Sequence, residues 1–292
     1  VSSAITTAST AFTNVKNVEV LQLGYVATED LTAATGFGTI RFGANNQNGT
    51  LTVAGGASID VANTTGNTAT IAVVNAATQT TDALTVSIGT ATAAGTNGGS
   101  VTAQNVERLT VNSVGSSGTN TLTVTNGAVT SLTVTGTRAI DLTAGGTSLT
   151  SLDASKFTGN FNGTNVTVGS NATLLGGTGN DTLVLGGGKS SVVSGAGNDT
   201  ITAAATLNND DTIDGGDGTA DVLTATIDGL TATTGKLNVR NVETISLTTS
   251  GTPSTVDAST TTGASLVQFA GSQTVSLTGL ASGVVVGLGL NN

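Results

Sequence analysis

The 292-residue chain reads as an all-β protein, a β-solenoid carrying a short parallel β-roll. A pair of β-sandwich modules flanking the roll is the alternative that strand spacing leaves open. Three observations point this way. Apolar and small polar residues alternate in short runs along the whole length, the period-2 mark of a strand with one buried face. Glycine is abundant (41 residues) and proline nearly absent, while the core has almost no aromatic bulk, with six Phe, one Tyr (Tyr25) and no Trp or Met. An acidic glycine turn recurs at a fixed interval in the second half.

The strand runs come first. "GTLTV" from Gly49, "ALTVS" from Ala83, "RLTVN" from Arg108, "TLTVT" from Thr121, "SLTVT" from Ser131 and "AIDLT" from Ala139 share one pattern. Thr and Val favour strands, and the Gly and Asn between the runs favour turns. Uniformly small interior side chains suit stacked coils, each burying itself on its neighbours, better than a thick sandwich core. Residues 1–150 are therefore read as a Thr/Val-rich β region, 151–228 as a roll region and 229–292 as a further β region, truncated or assembly-forming. The start at Val1 suggests a processed or partial piece of a longer protein.

A longer repeat crosses these regions. "KNVEVLQL" (Lys16–Leu23), "QNVERLTV" (Gln104–Val111) and "RNVETISL" (Arg240–Leu247) share Asn-Val-Glu-x-aliphatic-x-aliphatic and contain Glu19, Glu107 and Glu243. The favoured reading is a strand entry in which Asn closes a turn and Glu points outward beside a base such as Lys16 or Arg240. A ligand role for the glutamates is the competing reading. In "TSLDAS" and "STVDAS", Asp153 and Asp257 are expected to make Asx-type turns.

The roll region holds the chemistry. Gly176-Gly177-Thr178-Gly179-Asn180-Asp181-Thr182-Leu183-Val184 and Ser194-Gly195-Ala196-Gly197-Asn198-Asp199-Thr200-Ile201-Thr202 lie 18 residues apart, with a blurred copy from Leu185 between them. Nine-residue units, two per coil, place turns of one edge 18 residues apart. Allowing for a three-residue excess at Ala203–Ala205, a third turn on that edge begins at Gly215 and contains Gly216, Asp217, Gly218 and Asp221. The units from Leu185 and Thr206 fall on the opposite edge, where Ser190 replaces aspartate and Lys189 adds a positive charge. That edge is expected to bind metal weakly or not at all, with Asp210 and Asp211 as loose ligands at most.

Glycines let backbone carbonyls turn towards an ion, and stacked turns add carboxylates. Calcium takes six to eight hard oxygens at about 2.3–2.6 Å in a flexible shell. The expectation is two interlayer Ca²⁺ sites. Asp181 and Asp199 serve the first, and Asp199 with Asp217, Asp221 or both serves the second, supported by Gly177, Gly179, Gly195, Gly197, Gly216 and Gly218. Leu183, Val192, Ile201 and Ile213 should point inward, and Asn180 and Asn198 should brace the turns. Between Gly176 and Asp228 stand eight Asp and one Lys, a net −7 of the chain's −10. Acid concentrated in turns suits a divalent cation.

These turns, over Gly176–Asp221, resemble the RTX (repeats-in-toxin) nonapeptide. That resemblance implies a type I-secreted protein of a Gram-negative bacterium that calcium folds outside the cell. The Asn-Val-Glu strands and the Thr/Ala/Gly richness are similar in style to RTX-containing surface-layer proteins. The function expected is a calcium-dependent structural protein of the bacterial cell surface, self-assembling into a lattice or filament. A module of a large RTX adhesin, binding glycan or a host surface, is the alternative. Expected partners are further copies of the chain and cell-surface polysaccharide.

Other classes fit poorly. With no His and no Cys, imidazole and thiol catalysis are excluded, and a polysaccharide-active enzyme is the weakest reading. No basic stripe or aromatic platform favours nucleic acid. No apolar run approaches the ~20 residues of a membrane helix, so no membrane insertion is expected. Cysteine absence removes disulfide staples, and a metal is another way to brace such a fold.

Overall fold

The alternating runs become rungs of ladders. In the computed structural model Leu84, Leu109 and Leu132 lie side by side on adjacent parallel strands, and Val86, Val111 and Val134 form a second row. All six are buried. Alternate residues of each strand point in, and the intervening Thr, Ser and Asn point out. A residue sits over its counterpart about one coil earlier, so identical side chains stack and a small, uniform core packs without aromatic filling.

The structure describes residues 15–23, 28–34, 36–42, 49–61, 68–91, 95–204, 207–231 and 235–288. Tyr25, Ala205 and Thr206 of the three-residue excess and its following unit, and the last residues of "GVVVGLGLNN" lie outside them. The chain is all-β, a parallel β-solenoid of about 11 turns with no helix among the described residues. The solenoid therefore holds and the sandwich does not. A sandwich needs antiparallel hairpins, whereas the strand pairs described here are parallel and link each strand to the next but one.

Two compact units are distinguished, residues 1–149 with 165–167 (unit 1), and 150–164 with 168–292 (unit 2). In unit 1, strands alternate between two sheets. Ala57–Asp60, Ala83–Ile88, Arg108–Ser113 and Ser131–Gly136 follow one another in one sheet, while Thr50–Val53, Thr68–Val73, Asn97–Ala103 and Thr119–Thr125 do so in the other.

Unit 2 repeats the plan. Leu174, Val192, Ile213 and Val239 make one buried row. Leu183, Ile201, Leu223, Ile245 and Val267 make the facing one. The inward placement of Leu183, Val192, Ile201 and Ile213 is as expected. Strands here shrink to three residues, as in Thr182–Val184 and Ser191–Val193, because a nine-residue unit leaves only that much chain between turns.

Asp153 and Asp257 do make Asx turns. Oδ1 of Asp153 accepts the Ser155 N–H (2.9 Å) and Oδ1 of Asp257 accepts that of Ser259 (2.9 Å). The Ser155 hydroxyl and N–H hold Asp153 below the usual carboxylate range.

Candidate metal centre

The three glycine turns stack on one edge, in the order the 18-residue count predicts. Ala196 N–H donates to the Gly177 carbonyl (2.9 Å) and Asp217 N–H to the Gly195 carbonyl (2.7 Å). Stacking is so close that a Cβ on Gly195 would lie 2.1 Å from the Gly177 oxygen, one on Gly197 2.3 Å from that of Gly179, and one on Gly216 1.9 Å from that of Gly195. Gly195, Gly197 and Gly216 also adopt φ of 108°, 126° and 84°, in the region that only glycine enters without strain.

Beside the turns runs a column of carboxylates. Asp181 Oδ1 accepts the Phe161 N–H (2.8 Å), Asp199 Oδ1 the Asp181 N–H (2.8 Å), and Asp221 Oδ1 the Asp199 N–H (2.7 Å). Glu243 Oε2 closes the column on the Asp221 N–H (2.8 Å). Each acid caps the strand entry of the coil before it. Asp181, Asp199 and Asp221 are all about 1% exposed or less. Burial pushes all three carboxyl groups up, that of Asp181 to about 6, and neighbouring acids add to the rise at Asp181 and Asp221.

The second oxygens differ. Asp181 Oδ2 accepts the Gly177 N–H (2.7 Å), so both oxygens of Asp181 carry a backbone donor. Oδ2 of Asp199 and Oδ2 of Asp221 are buried with no hydrogen-bond donor. The Ser194 hydroxyl lies against Asp199, which it draws down slightly, and its Oγ is 2.7 Å from the Gly215 carbonyl oxygen. The Gly216 N–H goes to Asp214 Oδ1 (3.1 Å) instead of Asp221. Asp217 sits at the exposed tip of its turn, out of register with the column, which is continued by Asp221.

Both bare oxygens and the neighbouring carbonyls suit a hard cation. The space left by the missing side chain of Gly218 is bordered by the Gly197 carbonyl (2.3 Å from the Cβ position) and both Asp221 carboxylate oxygens (2.7 and 2.9 Å). Among the described residues no three acidic side chains converge on one point, so any ion would draw a large share of its ligands from backbone carbonyls.

Asn160, Asn180 and Asn198 brace the turns as a ladder. The Oδ1 atoms accept the N–H groups of Asn180 (3.0 Å), Asn198 (2.9 Å) and Thr219 (3.2 Å) in turn. On the opposite edge Asp211 is filled. Its Oδ1 accepts the Ser190 N–H (2.7 Å) and its Oδ2 both the N–H (2.9 Å) and the Nδ2 (3.1 Å) of Asn208.

The Asn-Val-Glu repeat turns out differently from its favoured reading. Asn17, Asn105 and Asn241 do close turns, with φ of 59°, 58° and 53°. Glu107 and Glu243, however, do not stand free beside a base. They fold back onto the N–H groups of Asp82 (2.9 Å) and Asp221 (2.8 Å), and Arg240 pairs with Asp214 (2.7 Å). Burial pushes Asp214 up, but the Arg240, Asn241 and Gly216 donors outweigh it and hold it low. The signal for Glu243 was present in the spacing. It follows Asp221 by 22 residues, the same step that separates Asp221 from Asp199.

No family model, curated protein or solved structure matches this chain.

Proposed function

We propose that this chain is a calcium-braced structural protein of a bacterial cell surface, a subunit of a self-assembling lattice or filament that folds when it meets calcium outside the cell. The observation that carries the reading is the pair of buried, donorless carboxylate oxygens on Asp199 and Asp221 beside glycine turns. A buried carboxylate without a donor is costly, and a cation removes that cost. Asp199, Asp221 and the Gly197 carbonyl would hold the ion. Bound calcium would supply positive charge and flexible oxygen coordination between coils. Asp181 and the Gly177, Gly179, Gly195, Gly216 and Gly218 backbones shape the turns around it.

The resemblance of Gly176–Asp221 to the RTX nonapeptide supports export followed by calcium-driven folding. Cation binding to the folded state alone adds RT ln(1 + [Ca²⁺]/Kd), about 2.7 kcal/mol at a hundredfold excess over Kd.

Size-exclusion chromatography with light scattering and electron microscopy, with calcium and after its removal, test the reading. Ordered sheets or filaments that dissolve in chelator are expected. A monomer with the same size and melting temperature in both conditions would overturn it.

A further inference from the structure

Asp82 lies in unit 1, far in sequence from the glycine-aspartate turns. It is 5% exposed, and its Oδ2 is buried without a hydrogen-bond partner. Native proteins leave few such atoms bare, because desolvation of a charged oxygen goes uncompensated.

The backbone bonds that join Asp82 to its glutamate and the next coil repeat those of Asp221. The Asp82 N–H donates to Glu107 Oε2 (2.9 Å), as the Asp221 N–H donates to Glu243 Oε2 (2.8 Å). Arg108 N–H donates to the Asp82 carbonyl (2.9 Å), as Thr244 N–H does to the Asp221 carbonyl (3.0 Å). In the next coil Thr130 and Ser131 donate to the Glu107 carbonyl (2.9 and 3.0 Å), matched by Ser265 and Leu266 on that of Glu243 (2.9 and 3.0 Å). Asn105 and Asn241 share the left-handed turn, and Val106 and Val242 are both fully buried. In both places the same atom, Oδ2 of the aspartate, is left without a donor. The third copy differs. Glu19 is exposed, and no buried aspartate accompanies it among the described residues.

We propose that Asp82 and Glu107 hold a divalent cation in unit 1, and that Asn-Val-Glu is the recurring half of such a site. The Asp82 N–H bond to Glu107 fixes two carboxylates at one strand entry. Arg108, the adjoining base, is exposed and forms no ion pair with either acid among the described residues. Two negative charges and a buried hard oxygen select a divalent ion with oxygen preference, calcium above transition metals. The site is independent of the glycine-aspartate turns and gives unit 1 its own cation brace.

The test uses the full chain, titrated with Ca²⁺ by calorimetry and with Tb³⁺ by luminescence, fold being checked by far-UV circular dichroism. In a D199N/D221N background, which removes the proposed ligands of unit 2, a remaining ion is expected to bind, and adding D82N should abolish it. D82N alone should lower the stoichiometry by one. E107Q keeps an oxygen to accept the Asp82 N–H, so the fold should persist while affinity falls at least tenfold. Stoichiometry and affinity unchanged in D82N and E107Q would overturn this proposal alone. Wild-type protein that binds no ion would overturn both this site and the calcium reading of unit 2.

Discussion

The two edges of unit 2 are cut from the same nine-residue count, yet they treat a buried aspartate in opposite ways. Asp199 and Asp211 are both about 1–2% exposed, and burial raises both carboxyl groups. Asp211 receives three N–H donors across its two oxygens, whereas Asp199 receives one and keeps Oδ2 bare. Burial alone therefore does not leave an oxygen bare. What decides is whether the N–H groups of the turn reach the second oxygen. Within the acidic edge the same rule separates Asp181 from Asp199. Gly177 lies outside the left-handed region and gives its N–H to Asp181, whereas Gly195, at φ 108°, gives none to Asp199.

The comparison breaks most sharply at the glycines. Gly195→Ala forces a side chain into the left-handed region and onto the Gly177 carbonyl, and should destabilise by roughly 3 kcal/mol or more. Gly187→Ala, on the degenerate edge, meets only Ser170 Oγ at 3.5 Å and should stay within about 0.5 kcal/mol. Urea unfolding followed by circular dichroism measures both. Equal effects would mean that Gly195 is no more confined than Gly187; the opposite edge has its own confined glycine in Gly186, whose Cβ would lie 1.9 Å from the Gly169 carbonyl oxygen.

Next come the aspartates themselves. Asp199→Asn should erase the calcium-dependent stabilisation that the unit 2 site supplies, about 2.7 kcal/mol at a hundredfold excess of calcium over Kd, leave that of the Asp82 site in place, and leave the calcium-free protein as stable or more so. Asp211→Asn should lower stability by about 1–3 kcal/mol equally with and without calcium, since it disturbs a cap. Calorimetric scans in both conditions check this, and a calcium-dependent loss in Asp211→Asn would merge the two edges.

The smallest effect is that of pH on metal-free protein. Asp181 titrates near 3.8 when unfolded and about 6 when folded. A raised carboxyl favours the fold in its protonated form. That stability is complete below about pH 3.8 and is lost as pH rises through 6. Asp199, Asp211 and Asp221 shift in the same direction. Melting temperature in metal-free buffer should therefore fall between pH 4 and 7, and saturating calcium should flatten or reverse the slope. A metal-free melting temperature that rises over this range would contradict the burial of an uncompensated column.

Much of this was legible beforehand. Counting by 18, with three residues of excess, put Gly176, Ser194 and Gly215 on one edge, because coil length in a solenoid is a linear property of the chain. The Asx turns at Asp153 and Asp257 follow from local geometry, and the bracing role of Asn180 and Asn198 from the same coil count. The choice between Asp217 and Asp221 was not. Asp217 has the motif's glycine neighbours, but Asp221 immediately precedes the strand Val222–Ile227, and only strand register sets which acid faces the column. The role of Glu107 was hidden for a related reason. Its partner, Asp82, stands 25 residues earlier, off the 22-residue step that marks Glu243, and nothing in the local sequence of Glu107 points to it.

By itself, then, the sequence determined an all-β chain with small apolar ladders and the edge on which the acidic turns gather, because both depend on periodicity, while the choice of solenoid over sandwich came with the parallel strand pairing. The tertiary structure decided which carboxylate oxygens remain bare. That depends on which backbone groups reach each oxygen in the stacked turns, where the Gly177 N–H meets Asp181 Oδ2 and no N–H meets Asp199 Oδ2.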